Sequence, residues 1–475
     1  MKNEPSIPLT YADTFRCIGP ACEDTCCQGW SVPVDRAAWD KYQNLPESPL
    51  RVLINASVLR EPQSADAAAE DASVNSAVFA KIRMNEANQC PLLTEERLCR
   101  VQAELGEEML SHTCATYPRI VHSIAGVKET ALTFSCPEAA RLVLLTPDLL
   151  LGAEETYRQT PVAKQAAEKP KTEGGGGFNP RIMQAKSEPA LAAEGHSLPI
   201  SRESLRFSAA GEAHADHETH EGFWQIRAVV LNLVRARIYP LWQRMFLLDM
   251  LCRRLDSIAC GELKQTVSIF LAEFEAAVNT GALRPAMDQL PADRMAQLDV
   301  VLRLAGLMLH KSNVRPRFVE CVHAFTAGIG NGPGATLESL TANFSLADAR
   351  FYAPFMDRHP HIMENFLVNT ILRCQFPFGK AGMHEGAKPG KAREFALLAA
   401  QFALMRGFLI GVAGHRREAF EAAHVVHTVQ AASKHFEHHP EFLNMAYALL
   451  KEKDMDGPRG LAILLRDATI SQAAS

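Results

Sequence analysis

From residue 223 onward the chain carries apolar side chains at three- and four-residue steps, the spacing that gathers them on one face of a helix. Phe223, Ile226, Val230, Leu233, Val234, Ile238, Leu241 and Met245 make the first stripe, with a bend expected at Pro240. Leu263, Val267, Phe270, Phe274 and Val278 make the next, and Asn279-Thr280-Gly281 supplies a helix-ending signal. The same periodicity predicts helices over 295–310, 361–374, 393–412 and 418–436. No strand–helix alternation of the kind that builds a parallel sheet is evident, so no Rossmann sheet is expected. The longest apolar stretches, such as Phe402 to Val412 with Arg406 inside, stop well short of the ~20 residues of a membrane span.

The pattern lapses between 152 and 222. There Ala, Glu, Lys, Pro, Ser and Gly dominate, including Gly174-Gly175-Gly176-Gly177, and few apolar residues are available to bury. A flexible linker or surface excursion is expected, and His214, His217 and His220 read as solvated linker rather than ligands. Before it, Thr94 has the position of a helix N-cap with Glu95 and Glu96 in the first turn, followed by Leu98, Val101, Leu105 and Met109 facing inward. Cys99 would flank that stripe and Cys114 would lie just past it. Cys22 to Gly29 holds no period and reads as a loop. The expected class is mainly α: a cysteine-rich metal-binding module over 1–151, a linker over 152–222, and a helical domain over 223–475.

Composition narrows the possibilities. With 475 residues, 47% of them hydrophobic, the chain can build a large core. Residues 1–152 carry 13 Lys plus Arg against 20 Asp plus Glu, a net of −7, which leaves +2 for the remainder of the overall −5. An acidic cysteine-bearing segment has the wrong sign for gripping phosphates, so nucleic acid is not an expected partner. The opening Met-Lys-Asn-Glu-Pro-Ser has no apolar leader segment, which points to the cytoplasm and away from disulfides.

Eight of the twelve cysteines precede residue 137: Cys17, Cys22, Cys26, Cys27, Cys90, Cys99, Cys114 and Cys136. Thiols crowded in this way usually hold a metal centre. A zinc ion would take four, commonly as two close pairs, and an iron-sulfur cluster about four from looser spacings, so spacing alone does not choose. Eight exceed what one centre needs. Cys22 and Cys26 begin the Cys-x3-Cys-x2-Cys pattern of radical enzymes, but Gly29 stands where its third cysteine belongs.

Tyr11, the run Phe15-Arg16-Cys17 through Cys22-Glu23-Asp24-Thr25-Cys26-Cys27-Gln28-Gly29-Trp30, then Cys90-Pro91, Leu98-Cys99-Arg100, Cys114-Ala115-Thr116-Tyr117-Pro118-Arg119 and Cys136-Pro137 resemble the flagellin lysine-N-methylase (FliB) family. The beginning is also similar to a broader group of zinc- or iron-chelating cysteine-cluster domains. Glu364-Asn365 to Asn369, Phe376-Pro377-Phe378 and Arg406 to Gly411 extend the likeness to the helical region. The resemblance implies an S-adenosyl-L-methionine-dependent methyltransferase acting on flagellin lysines, with a [4Fe-4S] cluster held by cysteines of this pool. The other reading is a non-enzymatic zinc- or iron-binding adaptor or metal-delivery protein.

Lysine methylation requires a neutral amine, whereas a free lysine titrates near ~10.4, so a carboxylate or phenol must take a proton. Tyr11, Glu23, Asp24 and Tyr117 lie in or beside the cysteine motifs and are the candidates. Arg119 is suited either to gripping the donor's carboxylate or to pairing with one of the neighbouring acids. Gly328-Ile329-Gly330-Asn331-Gly332-Pro333-Gly334 follows a helical stretch and reads as a loop rather than a cofactor fingerprint.

Overall fold

The apolar stripes become helices. A computed structural model of the chain describes residues 5–30, 32–60, 79–153, 156–157, 222–258, 263–309, 314–379, 390–437 and 441–467. Nearly all of 152–222, with its glycine run and three histidines, lies outside them, as does Cys260. Phe223–Val234 and Leu241–Ser257 are two separate helices, because the chain leaves helical geometry well before Pro240. Ile238 therefore falls in the connection and is exposed rather than on a helix face. Arg244 closes the gap, donating from Nε to Tyr239 O at 2.8 Å and from Nη1 to Val234 O at 2.7 Å.

Leu263–Asn279, Arg294–Leu309, His361–Arg373 and Ala422–Phe436 form close to the expected spans. The expected 393–412 helix is longer, Lys391–Arg416, and every residue from Glu394 to Ala413 is buried. By length and composition it is apolar enough to cross a bilayer, which corrects the expectation that no stretch is; it is the central helix of the body, walled in on all sides. Arg406 does not interrupt it, because its guanidinium reaches the carbonyls of Leu464 and Leu465 and the carboxylate of Asp467. Pro316–Gly328 crosses the central helix with backbone almost in contact: a Cβ on Gly328 would lie 1.7 Å from Gly411 O. Only glycine permits that approach.

Among the described residues, strands occur only before residue 133. Val32–Val34 (β1), Val58–Arg60 (β2) and Ala80–Ile82 (β3) make a small antiparallel sheet in the order β1-β3-β2. Arg119–Ile124 (β4) and Val127–Leu132 (β5) form a hairpin whose two turn residues, Ala125 and Gly126, both have positive φ, as a tight hairpin turn requires.

Two cores result. The smaller gathers Val32, Val34, Tyr42, Leu50, Ile54, Ile82, Cys90, Leu92 and Val101. The larger spans the helical body and takes in Ile7, Leu9, Tyr11, Phe15 and the 124–157 stretch. Buried polar joints tie that N-terminal contribution to the body. Arg227 pairs with Glu129 at 3.1 Å, both side chains fully buried, and Tyr157 Oη donates to the same carboxylate at 2.9 Å. Asn369 exchanges two bonds with the backbone of Leu132, at 3.2 and 2.7 Å, and Asn365 donates to Val143 O and Thr146 O. Asn365 and Asn369, which carry part of the family likeness, are thus fastenings, and Glu364 beside them pairs with Arg237 and Arg244 inside the body.

Candidate functional site

The cysteines sit on short elements pinned by backbone bonds. Cys26–Gly29 runs beside 88–90, with Gly29 N–H donating to Asn88 O at 2.9 Å and Cys90 N–H to Cys27 O at 2.8 Å. That pairing brings the Cys27 and Cys90 thiols within hydrogen-bond reach, and Cys26 Sγ lies 3.8 Å from Cys27 Sγ. Trp30 Nε1–H donates to Cys26 O at 2.7 Å and fixes the turn. The helix expected from Thr94 starts later, at Arg100–Leu105 with Cys99 at its N-cap. Arg97 takes a positive φ, and the chain doubles back so that Leu93 pairs with Cys99. Cys114 lies in the His112–Thr116 helix, and Asp35 holds that helix by accepting from His112 N–H at 2.7 Å while capping Arg36–Gln43 through Ala38 N–H at 2.9 Å.

Cys26, Cys27, Cys90, Cys99 and Cys114 influence one another's ionisation and so form one group. Cys136 feels Cys22 and Cys26, and Cys22 feels Cys17, which places the remaining three on its flank. The Cys27 hydrogen bond draws the Cys26 thiol down to about 7 against its burial, helped by the Lys434 ammonium. A hydrogen bond with Cys27 likewise holds Cys90 low, while the bonds that Cys27 makes to Cys26 and Cys90 push its own thiol up. Burial lifts Cys99, and lifts Cys114 and Cys136 to about 12. Cysteines 17 through 136 are all free thiols. Among the described residues, no three or more His, Cys, Asp or Glu side chains are drawn into an arrangement that could hold a metal ion.

A wall from the helical body faces the cysteine loop. Ala422–Phe436 is apolar on one side, but Gln430, Ser433 and Lys434, with Glu437 just beyond its end, follow the i, i+3, i+4, i+7 spacing of a single face. Gln430 Nε2 donates to Asp24 Oδ2 at 2.7 Å and Ser135 O at 3.0 Å. Lys434 Nζ donates to Asp24 Oδ2 at 2.8 Å and Thr25 O at 2.7 Å. Glu437 accepts from Thr133 Oγ1, and its other oxygen is 3.5 Å from Arg373 Nη1. Beside them Arg315, preceding Pro316–Gly328, donates from Nη2 to Gly29 O at 2.7 Å.

The candidate side chains divide. Asp24 is in the seam, held below the usual carboxylate range by Lys434 and its hydrogen bonds in spite of burial. Tyr117 is beside Cys136 and Cys26, its hydroxyl 3.1 Å from Ser135 Oγ, and burial pushes its phenol far up. Glu23 pairs with Arg141 at the surface, together with Glu138. Tyr11 is in the larger core, donating to Asn369 Oδ1 at 3.1 Å beside Glu129. Arg119 donates to Ala12 O and Phe15 O at 3.2 and 3.0 Å and lies over the Phe15 ring, so it fastens the N-terminal turn. Arg315, Gln430 and Lys434 were missed in the sequence, although the polar face at helical spacing was there to be read.

The donors are of the chemical type a thiophilic centre takes, free sulfurs without a disulfide, and Cys90, Cys27, Cys99 and Cys114 also pack in the smaller core. Arg315 packs against the same loop. Arg315 Nη1 is buried with no partner among the described residues, and a Cβ on Gly29 would lie 3.0 Å from the guanidinium carbon, so the loop leaves room for that cation and little else.

The profile of the FliB lysine N-methylase C-terminal domain matches residues 227–464. The chain is 22% identical over 435 residues to the lysine-N-methylase of Salmonella typhimurium, covering 90% of each, and matches that of Salmonella choleraesuis to the same extent. It is 29% identical over 164 residues to the flagellar biosynthetic protein FliU of Salmonella muenchen, covering 34% of this chain and 90% of that one. No solved structure matches it.

Proposed function

Because this chain belongs to the FliB lysine N-methylase family, we take lysine methylation as its class of reaction, and we propose that S-adenosyl-L-methionine is the donor and flagellin the acceptor. The observation that carries this reading is the extent of the likeness: two lysine-N-methylases align over 90% of the chain, cysteine segment and helical body together. The name of the third relative supports a flagellar substrate. A cytoplasmic location follows from a reaction that uses a metabolite and acts on a protein before export.

In this reading Cys17, Cys22, Cys26, Cys27, Cys90, Cys99, Cys114 and Cys136 are the pool that would hold a [4Fe-4S] cluster. When bound, such a group would supply an iron with an open coordination position able to hold the amino and carboxylate groups of the donor. The transfer itself is polar: a carbon–nitrogen bond forms to the lysine amine as the methyl–sulfur bond breaks, and the sulfonium departs as a neutral thioether. The chain's part is to align the two reactants and remove the ammonium proton beforehand. Tyr117 is the best placed of the candidates, since its hydroxyl leads through Ser135 Oγ at 3.1 Å and Thr133 Oγ1 at 2.9 Å to the Glu437 carboxylate. That line of hydroxyls gives a proton somewhere to go. Asp24, neutralised by Lys434, serves instead to orient the cysteine loop.

The test is transfer of labelled methyl from S-adenosylmethionine to purified flagellin by the metal-loaded protein. Label on flagellin lysines is expected, and its absence from protein that holds metal removes the methyltransferase reading.

A further inference from the structure

We propose that Cys27 and Cys90 form a reversible disulfide, a redox latch that ties the 26–29 loop to the 88–90 segment in the metal-free protein, with the exposed Cys26 as the thiol that meets the oxidant. The co-reactant is a small-molecule disulfide such as oxidised glutathione. Among the described residues no side chains gather to hold a metal, whereas these two thiols do meet. The latch goes beyond methyl transfer and does not rest on it.

The backbone sets the pair. Gly29 N–H donates to Asn88 O at 2.9 Å and Cys90 N–H to Cys27 O at 2.8 Å, with Gln28 opposite Gln89 between them. This is a short antiparallel pairing in which Cys27 and Cys90 stand directly opposite, so their side chains leave from the same face. Opposed Cα atoms at such a hydrogen-bonded position lie about 5.5 Å apart, inside the roughly 4.4–6.8 Å that a disulfide spans. Side-chain rotation is enough to close the bond. The Cβ atoms of the pair must still draw together, which strains the bond and makes it easy to reduce.

The loop is already in place for this. Trp30 Nε1–H holds Cys26 O at 2.7 Å, Cys27 N–H is held by Thr25 Oγ1 at 3.2 Å, and Arg315 and Lys434 grip Gly29 O and Thr25 O from the body. Access differs along the run: Cys26 is exposed, Cys27 half-buried and Cys90 buried. Cys26 Sγ lies 3.8 Å from Cys27 Sγ, close enough to pass oxidation inward. A bond between those neighbours closes a strained ring through their own peptide link, so it serves as an intermediate.

The steps balance. Cys26 thiolate attacks one sulfur of oxidised glutathione, releasing one glutathione thiolate and leaving a mixed disulfide. Cys27 attacks Cys26 Sγ and expels the second glutathione; Cys90 then attacks Cys27 Sγ and expels Cys26, and the departing thiolates take up the protons lost by the attacking thiols. In sum two cysteine thiols lose two electrons and oxidised glutathione becomes two thiols. Two members of the cysteine pool are then withdrawn until a reductant returns them.

Full-length, metal-free protein is incubated with oxidised glutathione, its remaining thiols are alkylated, and linked peptides are mapped by mass spectrometry without reduction. A peptide carrying residue 27 joined to one carrying residue 90 is expected, released by dithiothreitol and preceded by glutathione on Cys26. Cys27→Ser should lose the link. Cys26→Ser should keep it but form it on the order of tenfold more slowly, since attack must then begin at a covered thiol. Wild type in which Cys90 stays alkylatable at full oxidation overturns the latch, as does a link to Cys90 that survives Cys27→Ser. Equal rates in wild type and Cys26→Ser overturn the entry role. Because the bond itself is read, these outcomes are independent of whether the protein transfers methyl groups.

Discussion

The helical body and the cysteine subdomain are held together by different means. In the body the central helix runs 26 residues and is buried for most of its length, and its neighbours close on it to backbone contact. In the subdomain the longest helix has 9 residues and the strands 3 each, around a core of modest size. Small folds of short elements often lean on a cross-link or a metal as well as on packing. The comparison separates a part built on long helices with wide apolar faces from a part built on short elements around a small core.

The largest expected effect lies on the body side. Arg227→Met strands the fully buried Glu129 carboxylate and should cost about 3–5 kcal/mol, read from the denaturant midpoint. A loss under about 1 kcal/mol would mean that burial alone secures the β5 hairpin to the body, and the contrast would weaken.

A smaller effect, also in the body, depends on pH. Glu394 is buried with one oxygen unpartnered, and burial raises its carboxyl from 4.5 to about 7, with Arg393 opposing. The folded chain keeps this proton where the unfolded chain has lost it, so stability falls as pH rises from about 4.5 to 7. Glu394→Gln lacks that decline and should be the more stable protein at pH 8, by up to about 3 kcal/mol, with the gap closing by pH 4. A gap that does not vary with pH would show that Glu394 stays ionised in the folded protein.

The smallest effect on the whole should be the most local. Chelation of the metal-loaded protein is expected to raise amide exchange at 26–30, 88–93 and 99–105 and to change the central helix by less than about 0.5 kcal/mol in protection. If the central helix opens as well, the two regions are one cooperative unit and the contrast fails.

The body was legible in the sequence because its helices bury wide apolar faces, and a 3.6-residue period survives any detail of packing. The errors have physical causes. Thr94-Glu95-Glu96 has the right chemistry for a helix start, but a positive φ at Arg97 and the Leu93–Cys99 pairing spend those residues on a turn. Arg406 looked like a break in an apolar run because its partners, the carbonyls of 464 and 465, are distant in sequence. In the site, the number of cysteines drew attention to their segment. Their pairing was not readable, since it depends on the 26–29 and 88–90 segments lying side by side. Arg119 attracted attention by standing next to a motif, whereas Arg315 and Lys434 stand far in sequence from the eight N-terminal cysteines and reach the loop only through the fold.

The glycine crossing also decides what can move. With Gly328 and Gly411 touching main chain to main chain, neither helix can roll or slide without interpenetration, so the two act as one fixed floor. Arg315 is carried at the near end of that floor and keeps its station. Adjustment at this wall is then left to the short segments that carry the cysteines rather than to these two helices.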